Sequence, residues 1–129
     1  MTDPTPAPAL HPAEHDRRVD YVEFGAPGAE GVAAARRFYE QAFGWRFTDY
    51  GPDYSAFEDG RLAGGFTSER PVVRGGALVV LFAVDLADAE RRVREAGGEI
   101  VTPAFAFPGG RRFHFTDPGG NELAVWSDR

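Results

Sequence analysis

The sequence predicts an α+β chain of two tandem βαβββ modules, and three observations carry that expectation. The readable elements run strand, helix and three strands, and then run in that order again. The second half echoes the first at an offset of roughly 55–60 residues, with Arg36-Arg37-Phe38-Tyr39-Glu40 answered by Arg91-Arg92-Val93-Arg94-Glu95. Each half also ends on a similar pair, Phe57-x-Asp59 before Leu62-Ala63 and Phe115-x-Asp117 before Leu123-Ala124.

Residues 1–16, MTDPTPAPALHPAEHD, hold four prolines among small and acidic residues. Such a segment cannot bury enough surface to offset the entropy of ordering it, so a mobile tail is expected. His11 and His15 fall in it and read as solvated, because a metal site needs ligands held by an ordered frame. The first module is expected over 17–67. Alternation of Val19, Tyr21 and Glu23 with Val22 and Phe24 predicts a strand over 18–25. Val32, Ala35, Phe38, Tyr39, Ala42 and Phe43 recur at three- and four-residue steps, the signature of a helix with one apolar face, and Gly44 supplies its stop. Three short runs, 45–49, 53–58 and 62–67, follow as a meander, parted by Tyr50-Gly51-Pro52 and by the hairpin signal Asp59-Gly60.

The stretch 68–76, SERPVVRGG, reads as a connection to a second module over 77–129. Ala77–Val84 is an apolar strand. Leu86, Ala89, Val93 and Ala96 mark a helix with Asp85 as its N-cap and Gly97-Gly98 as its stop. Strands are expected at 99–102, 111–116 and 122–126, the last two joined by Asp117-Pro118-Gly119-Gly120-Asn121.

Composition narrows the function classes. The chain has 129 residues, a net charge of −6 and 43% hydrophobic residues including eleven Phe, enough for one compact core. Its paired arginines are interrupted by acids, which argues against a nucleic-acid partner. The absence of cysteine removes disulfides, thiol nucleophiles and thiolate metal sites, and fits a cytoplasmic protein. No apolar run reaches the length of a signal or membrane-spanning segment, so no membrane partner is expected. The glycines form no dinucleotide or phosphate fingerprint, and a single histidine outside the tail leaves no readable Ser-His-Asp triad.

FYEQAFGW at the end of the first helix, the Gly-Gly pair in the fourth strand, AVDLADAERRVREAGG across the second helix and the terminal FTDPGGNELAVW resemble the vicinal-oxygen-chelate superfamily, the glyoxalase and bleomycin-resistance-like proteins. The resemblance covers about residues 18–128. It implies a cup-shaped, curved mixed sheet with helices outside and a small-molecule ligand in the cup, and it also implies a homodimer. Metalloenzymes of the superfamily chelate a divalent ion with His, Glu or Gln on that face, and the ion polarises substrate oxygens. The matching positions here fall on Tyr21, Val79 and Ala124. Valine and alanine carry no donor atom, so no metal and no cofactor is expected.

Period-2 alternation then assigns faces. With Ala124 toward the cup, Glu122 and Trp126 join it, while Leu123 and Val125 face the helix layer. The Asp117–Asn121 connection sets His114 opposite Ala124 and Arg112 opposite Trp126, with Phe113 and Phe115 buried. Tyr21 and Glu23 enter from the first strand. Arg112 can clamp a carboxylate or phosphate beside the Trp126 indole, or simply pair with Glu122. His114 can act as acid, base or hydrogen-bond donor, or be a packed histidine with an ordinary partner. Glu23 is a possible base whose pKa depends on whether Arg112 pairs with it. The sequence thus points to metal-independent binding of a small aromatic or anionic molecule by Tyr21, Arg112, Glu122 and Trp126. The alternative is a lyase or isomerase using His114 or Glu23 as acid or base, followed by a metal-dependent glyoxalase-type enzyme.

Overall fold

The computed structural model describes residues 10–129. After a single 3-10 turn, Ala13–His15, the elements run β1 (Tyr21–Gly25), α1 (Gly28–Phe43), β2 (Arg46–Asp49), β3 (Tyr54–Glu58) and β4 (Ala63–Thr67). Then come β5 (Val79–Phe82), α2 (Leu86–Glu95), β6 (Glu99–Phe107), β7 (Gly110–Thr116) and β8 (Glu122–Ser127). Two four-stranded mixed sheets result, ordered β1-β4-β3-β2 and β5-β8-β7-β6. In each, the first strand of the module lies parallel to its last, and the remaining pairs are antiparallel. This is the α+β fold of two βαβββ modules that the sequence predicts. Of the expected tail over 1–16, residues 1–9 lie outside the described residues.

Both helices end as their sequences direct. Gly44 takes φ 71°, a left-handed conformation that costs a side-chain-bearing residue energy, and its N–H donates to the Glu40 carbonyl at 3.0 Å. The Asp85 side chain accepts from the Asp88 N–H at 3.0 Å, which satisfies one of the free donors at the start of α2.

The helices pack on each other and on one face of each sheet, so the two modules share one core. Phe38, Tyr39 and Val93 from the helices, Phe66 from β4, and Phe113, Phe115, Leu123 and Val125 from β7 and β8 are all fully or almost fully buried in it. Phe38 and Phe43 both lie 5.9 Å, centroid to centroid, from Phe115. Truncating a ring such as Phe115 to alanine removes about 3–5 kcal/mol of packing.

Three strands depart from expectation by more than one residue at an end. β1 begins at Tyr21, because its parallel partner β4 begins opposite at Ala63 and nothing pairs upstream. β5 is trimmed to Val79–Phe82, the four residues that pair with β8. β6 was expected to stop at Thr102, ahead of Pro103, yet continues to Phe107. It is an edge strand, where a residue without an N–H is tolerated, and its ladder with β7 shifts register between Ile100 and Thr102 and again between Thr102 and Phe105.

A buried polar knot joins the modules. The Asp117 carboxylate accepts from the Tyr39 hydroxyl at 3.0 Å, from the Asn121 N–H at 2.9 Å and from the Gly119 N–H at 3.1 Å. Asn121 Nδ2 donates to the Gly25 carbonyl at 2.9 Å, at the end of β1. Burial outweighs these donors and raises the Asp117 pKa above its ordinary value. The folded chain therefore holds that proton more tightly than the unfolded chain. Its stabilising contribution is fully present below the ordinary carboxylate range and is lost as pH rises through the folded value. Tyr39→Phe removes one donor from a buried, ionisable acceptor, and urea unfolding should register a loss of about 1.5–3 kcal/mol. Unchanged stability would show that the knot is dispensable.

Candidate functional site

The helix-free face of the second sheet is laid out by its pairing. Register places Arg112 opposite both Phe105 and Trp126, and Phe82 opposite Trp126, so Phe105, Arg112, Trp126 and Phe82 form one row across four strands. The next row is Thr102, His114, Ala124 and Val80. The expected pairings of His114 with Ala124 and of Arg112 with Trp126 are those observed. Val79 is corrected: it pairs with Leu123 and packs against the core, while Val80 occupies the position level with Ala124. The shift of one residue reverses the face, as it must on a strand.

Arg112 is held by rings. Its guanidinium carbon sits 5.2 Å from the Phe105 centroid and 5.6 Å from that of Phe107, favourable cation–π distances. The expected stacking on Trp126 is replaced by this aromatic clasp, with Trp126 6.3 Å from Phe107 and 5.2 Å from Phe82. Arg112 makes no salt bridge, neither with Glu122 nor with Glu23 among the described residues. Its Nε is buried and without a partner.

His114 lies beside it with its side chain 14% exposed. Nδ1 is 3.2 Å from Glu122 Oε2, and a carboxylate can only accept, so the proton is on Nδ1. The opposite nitrogen, Nε2, is buried with no partner, which leaves it as a free acceptor when the ring is neutral. Glu122 is fixed in turn by Arg74 at 2.9 Å, and the bonds from Arg74 and then His114 lower its pKa. A carboxylate of this kind orients an imidazole and fixes which ring nitrogen carries the proton.

The first sheet carries a separate group. Tyr54 donates to Glu23 Oε2 at 3.0 Å, and Tyr21 hydrogen-bonds Tyr54, giving a Tyr21–Tyr54–Glu23 relay. Gly65 makes room for it: a Cβ there would collide with the Tyr54 hydroxyl and come within 2.7 Å of the Tyr21 hydroxyl. Desolvation first, then the bonds to Tyr21 and Glu23, raise the Tyr54 pKa well above the ordinary phenol range.

The six sequence-predicted site residues thus fall into two groups, Arg112, His114, Glu122 and Trp126 on one sheet and Tyr21 and Glu23 on the other, and none of the hydrogen bonds among the described residues links them. Sequence reasoning missed Tyr54, Phe105 and Phe107. The alternation of Phe105 and Phe107 ahead of Pro108-Gly109-Gly110 was a legible strand-and-turn signal. A cleft of about 770 Å³ is lined by Val22, Phe24 and Phe57 of the first sheet and by Val80, Phe82 and Trp126 of the second, among others. Trp126 therefore belongs to both the cleft and the His114 face.

Residues 28–125 match the family model described as the glyoxalase/bleomycin resistance protein/dioxygenase superfamily. The chain belongs to that superfamily. It is 37% identical, over an alignment 128 positions long, to the anthracycline biosynthesis protein DnrV of Streptomyces peucetius, and 35% identical to the anthracycline biosynthesis protein DauV of Streptomyces sp. strain C5. Each alignment covers 79% of this chain and 46% of the relative, so the chain spans about half the length of these curated relatives. Among solved structures, a glyoxalase/bleomycin resistance protein/dioxygenase family enzyme from Burkholderia phytofirmans PsJN superposes with a TM-score of 0.73, at 15% identity, over 86% of this chain and all of that one. That likeness shows the fold alone.

The residues on the helix-free face of the second sheet do not fit a superfamily metal centre. His114 is the only imidazole there, the residues level with it are Thr102, Ala124 and Val80, and the neighbouring Glu122 is occupied by Arg74 and His114. Alkaline spectrophotometric titration tests the tyrosine environments. Tyr39 and Tyr54 should both ionise above the ordinary phenol range, and Tyr54→Phe should remove amplitude from that late phase only. Loss of amplitude near the ordinary phenol range would contradict the relay.

Proposed function

We propose that the chain binds a small aromatic, anionic molecule on the His114 face, without a metal. One observation carries the reading: Arg112 Nε and His114 Nε2 are both buried and unpartnered on neighbouring rows of an aromatic floor. An unmet buried donor or acceptor costs about 1–3 kcal/mol, which a ligand supplying the missing partners recovers. A planar ring would lie against Phe82, Trp126 and Phe105 while its carboxylate or phenolate accepts from Arg112. The two relatives named as anthracycline biosynthesis proteins support a biosynthetic setting for such a ligand.

A homodimer is part of the same reading. Val80 on the edge strand β5 and Val84 just beyond it are 42% and 64% exposed, apolar surface that a second copy would cover. Sedimentation at micromolar concentration should give twice the chain mass, and a monomer would remove the dimer from the reading.

A second reading is favoured by the Glu122–His114 bond, which presents Nε2 as a base for a lyase or isomerase, with Arg112 as anion clamp and Glu23 as an alternative base. Binding is tested with an aromatic carboxylate and with an anthracycline, followed by quenching of tryptophan fluorescence. Arg112→Ala should weaken the carboxylate about 10–100-fold, the loss of a charged hydrogen bond, and a chelator should change nothing. Equal affinity in wild type, Arg112→Ala and His114→Ala would refute the site. For the catalytic reading, turnover of a screened substrate should vanish in His114→Ala or Glu23→Gln while binding survives, and full activity in both would exclude it.

A further inference from the structure

Away from the His114 face, three metal-type donors converge ahead of β1. His11 Nε2 lies 2.6 Å from Asp20 Oδ1 and 3.1 Å from His15 Nδ1, and all three donor atoms lie within 4.8 Å of one another. Tetrahedral zinc with bonds of about 2.0–2.1 Å sets its ligand atoms about 3.3 Å apart, so the grouping has the scale of a coordination sphere. No other group of three such residues occurs among the described residues.

We infer that His11, His15 and Asp20 form a surface site for a divalent cation of the zinc type, which fastens the N-terminal arm to the start of the first sheet. Three features support it. First, His11 Nε2 lies between the Asp20 carboxylate and His15 Nδ1, and in either tautomer of the two rings one proton cannot serve both contacts squarely, whereas a cation satisfies all three atoms together. Second, the backbone is shaped to bring them together. The 3-10 turn Ala13–His15 sets His11 and His15 on one side, with the His15 N–H donating to the Pro12 carbonyl at 3.0 Å. Arg17 then takes φ 67°, the only positive φ at a non-glycine residue among those described, and the reversal returns Asp20 to His11. A left-handed arginine costs about 1–2 kcal/mol, so something at the ends of the reversal must hold it. Third, the donors open on a cavity of about 650 Å³ whose wall carries Glu58 and Asp59 as well as Arg18 and Arg61. Water in that cavity can complete the coordination.

The donor set selects the metal. Two imidazoles and one carboxylate suit zinc, nickel or copper(II) rather than magnesium or calcium, which require mostly oxygen ligands. The site is distinct from the His114 face and leaves metal-independent binding there untouched.

The test is equilibrium dialysis of the full chain, free of any affinity tag, against zinc chloride, with bound metal counted by elemental analysis. Wild type should retain one equivalent, and His11→Ala, His15→Ala and Asp20→Asn should each raise Kd at least about tenfold. His114→Ala should bind zinc as wild type does, and excess magnesium should displace none. Far-ultraviolet circular dichroism confirms that each variant is folded. No zinc retained by wild type, zinc retained undiminished in the His11 and His15 variants, or displacement by magnesium would each overturn the site. None of those outcomes bears on ligand affinity at Arg112.

Discussion

The buried carboxylate of Asp117 is the constraint through which the two modules become one molecule. It sits in the turn between β7 and β8, takes a proton donor from Tyr39 in the C-terminal half of α1, and is braced by Asn121, whose amide reaches back to the end of β1. A carboxylate removed from water is tolerated only if its lone pairs are met, and here the donors come from the turn itself and from the other half of the chain. The last hairpin is thereby held against the first helix. Since β7 and β8 carry Arg112, His114, Glu122 and Trp126, the candidate site inherits its position from this knot.

The two modules share a frame and differ in the chemistry of their open faces. Both place their first strand parallel to their last and bury the helix-facing side in the common core. On the first sheet, Gly65 vacates space that two tyrosines fill, and the hydroxyls pass hydrogen bonds to Glu23. On the second, aromatic rings surround Arg112, and His114 is oriented from one side only. The first face is satisfied internally, and the second retains unmet polar atoms. That difference is what favours the second sheet as the proposed ligand site.

Much of the frame was legible because it depends on local signals. The 3.6-residue recurrence of Val32, Ala35, Phe38, Tyr39 and Ala42, the Asp85 cap, and the stops at Gly44 and Gly97-Gly98 are each written within a few residues. The register of the last hairpin followed from one short connection and strict alternation. Strand ends were less legible, since where a strand stops depends on how far its neighbour extends, as at β1 and β5. The end of β6 was less legible for the same reason: whether Pro103 is tolerated depends on whether the strand is central or at an edge, a property of the sheet as a whole.

The sequence by itself determined the order of elements, the duplicated module and which residues of β7 and β8 share a face, because backbone periodicity and turn chemistry act over short distances. Only the tertiary structure decided partners. It gave Glu23 to Tyr54 instead of Arg112, gave Arg112 to Phe105 and Phe107, and turned Val80 rather than Val79 outward beside Ala124. It also gathered His11, His15 and Asp20 around one point. Pairing across strands depends on register, and register is fixed by contacts between residues far apart in the chain.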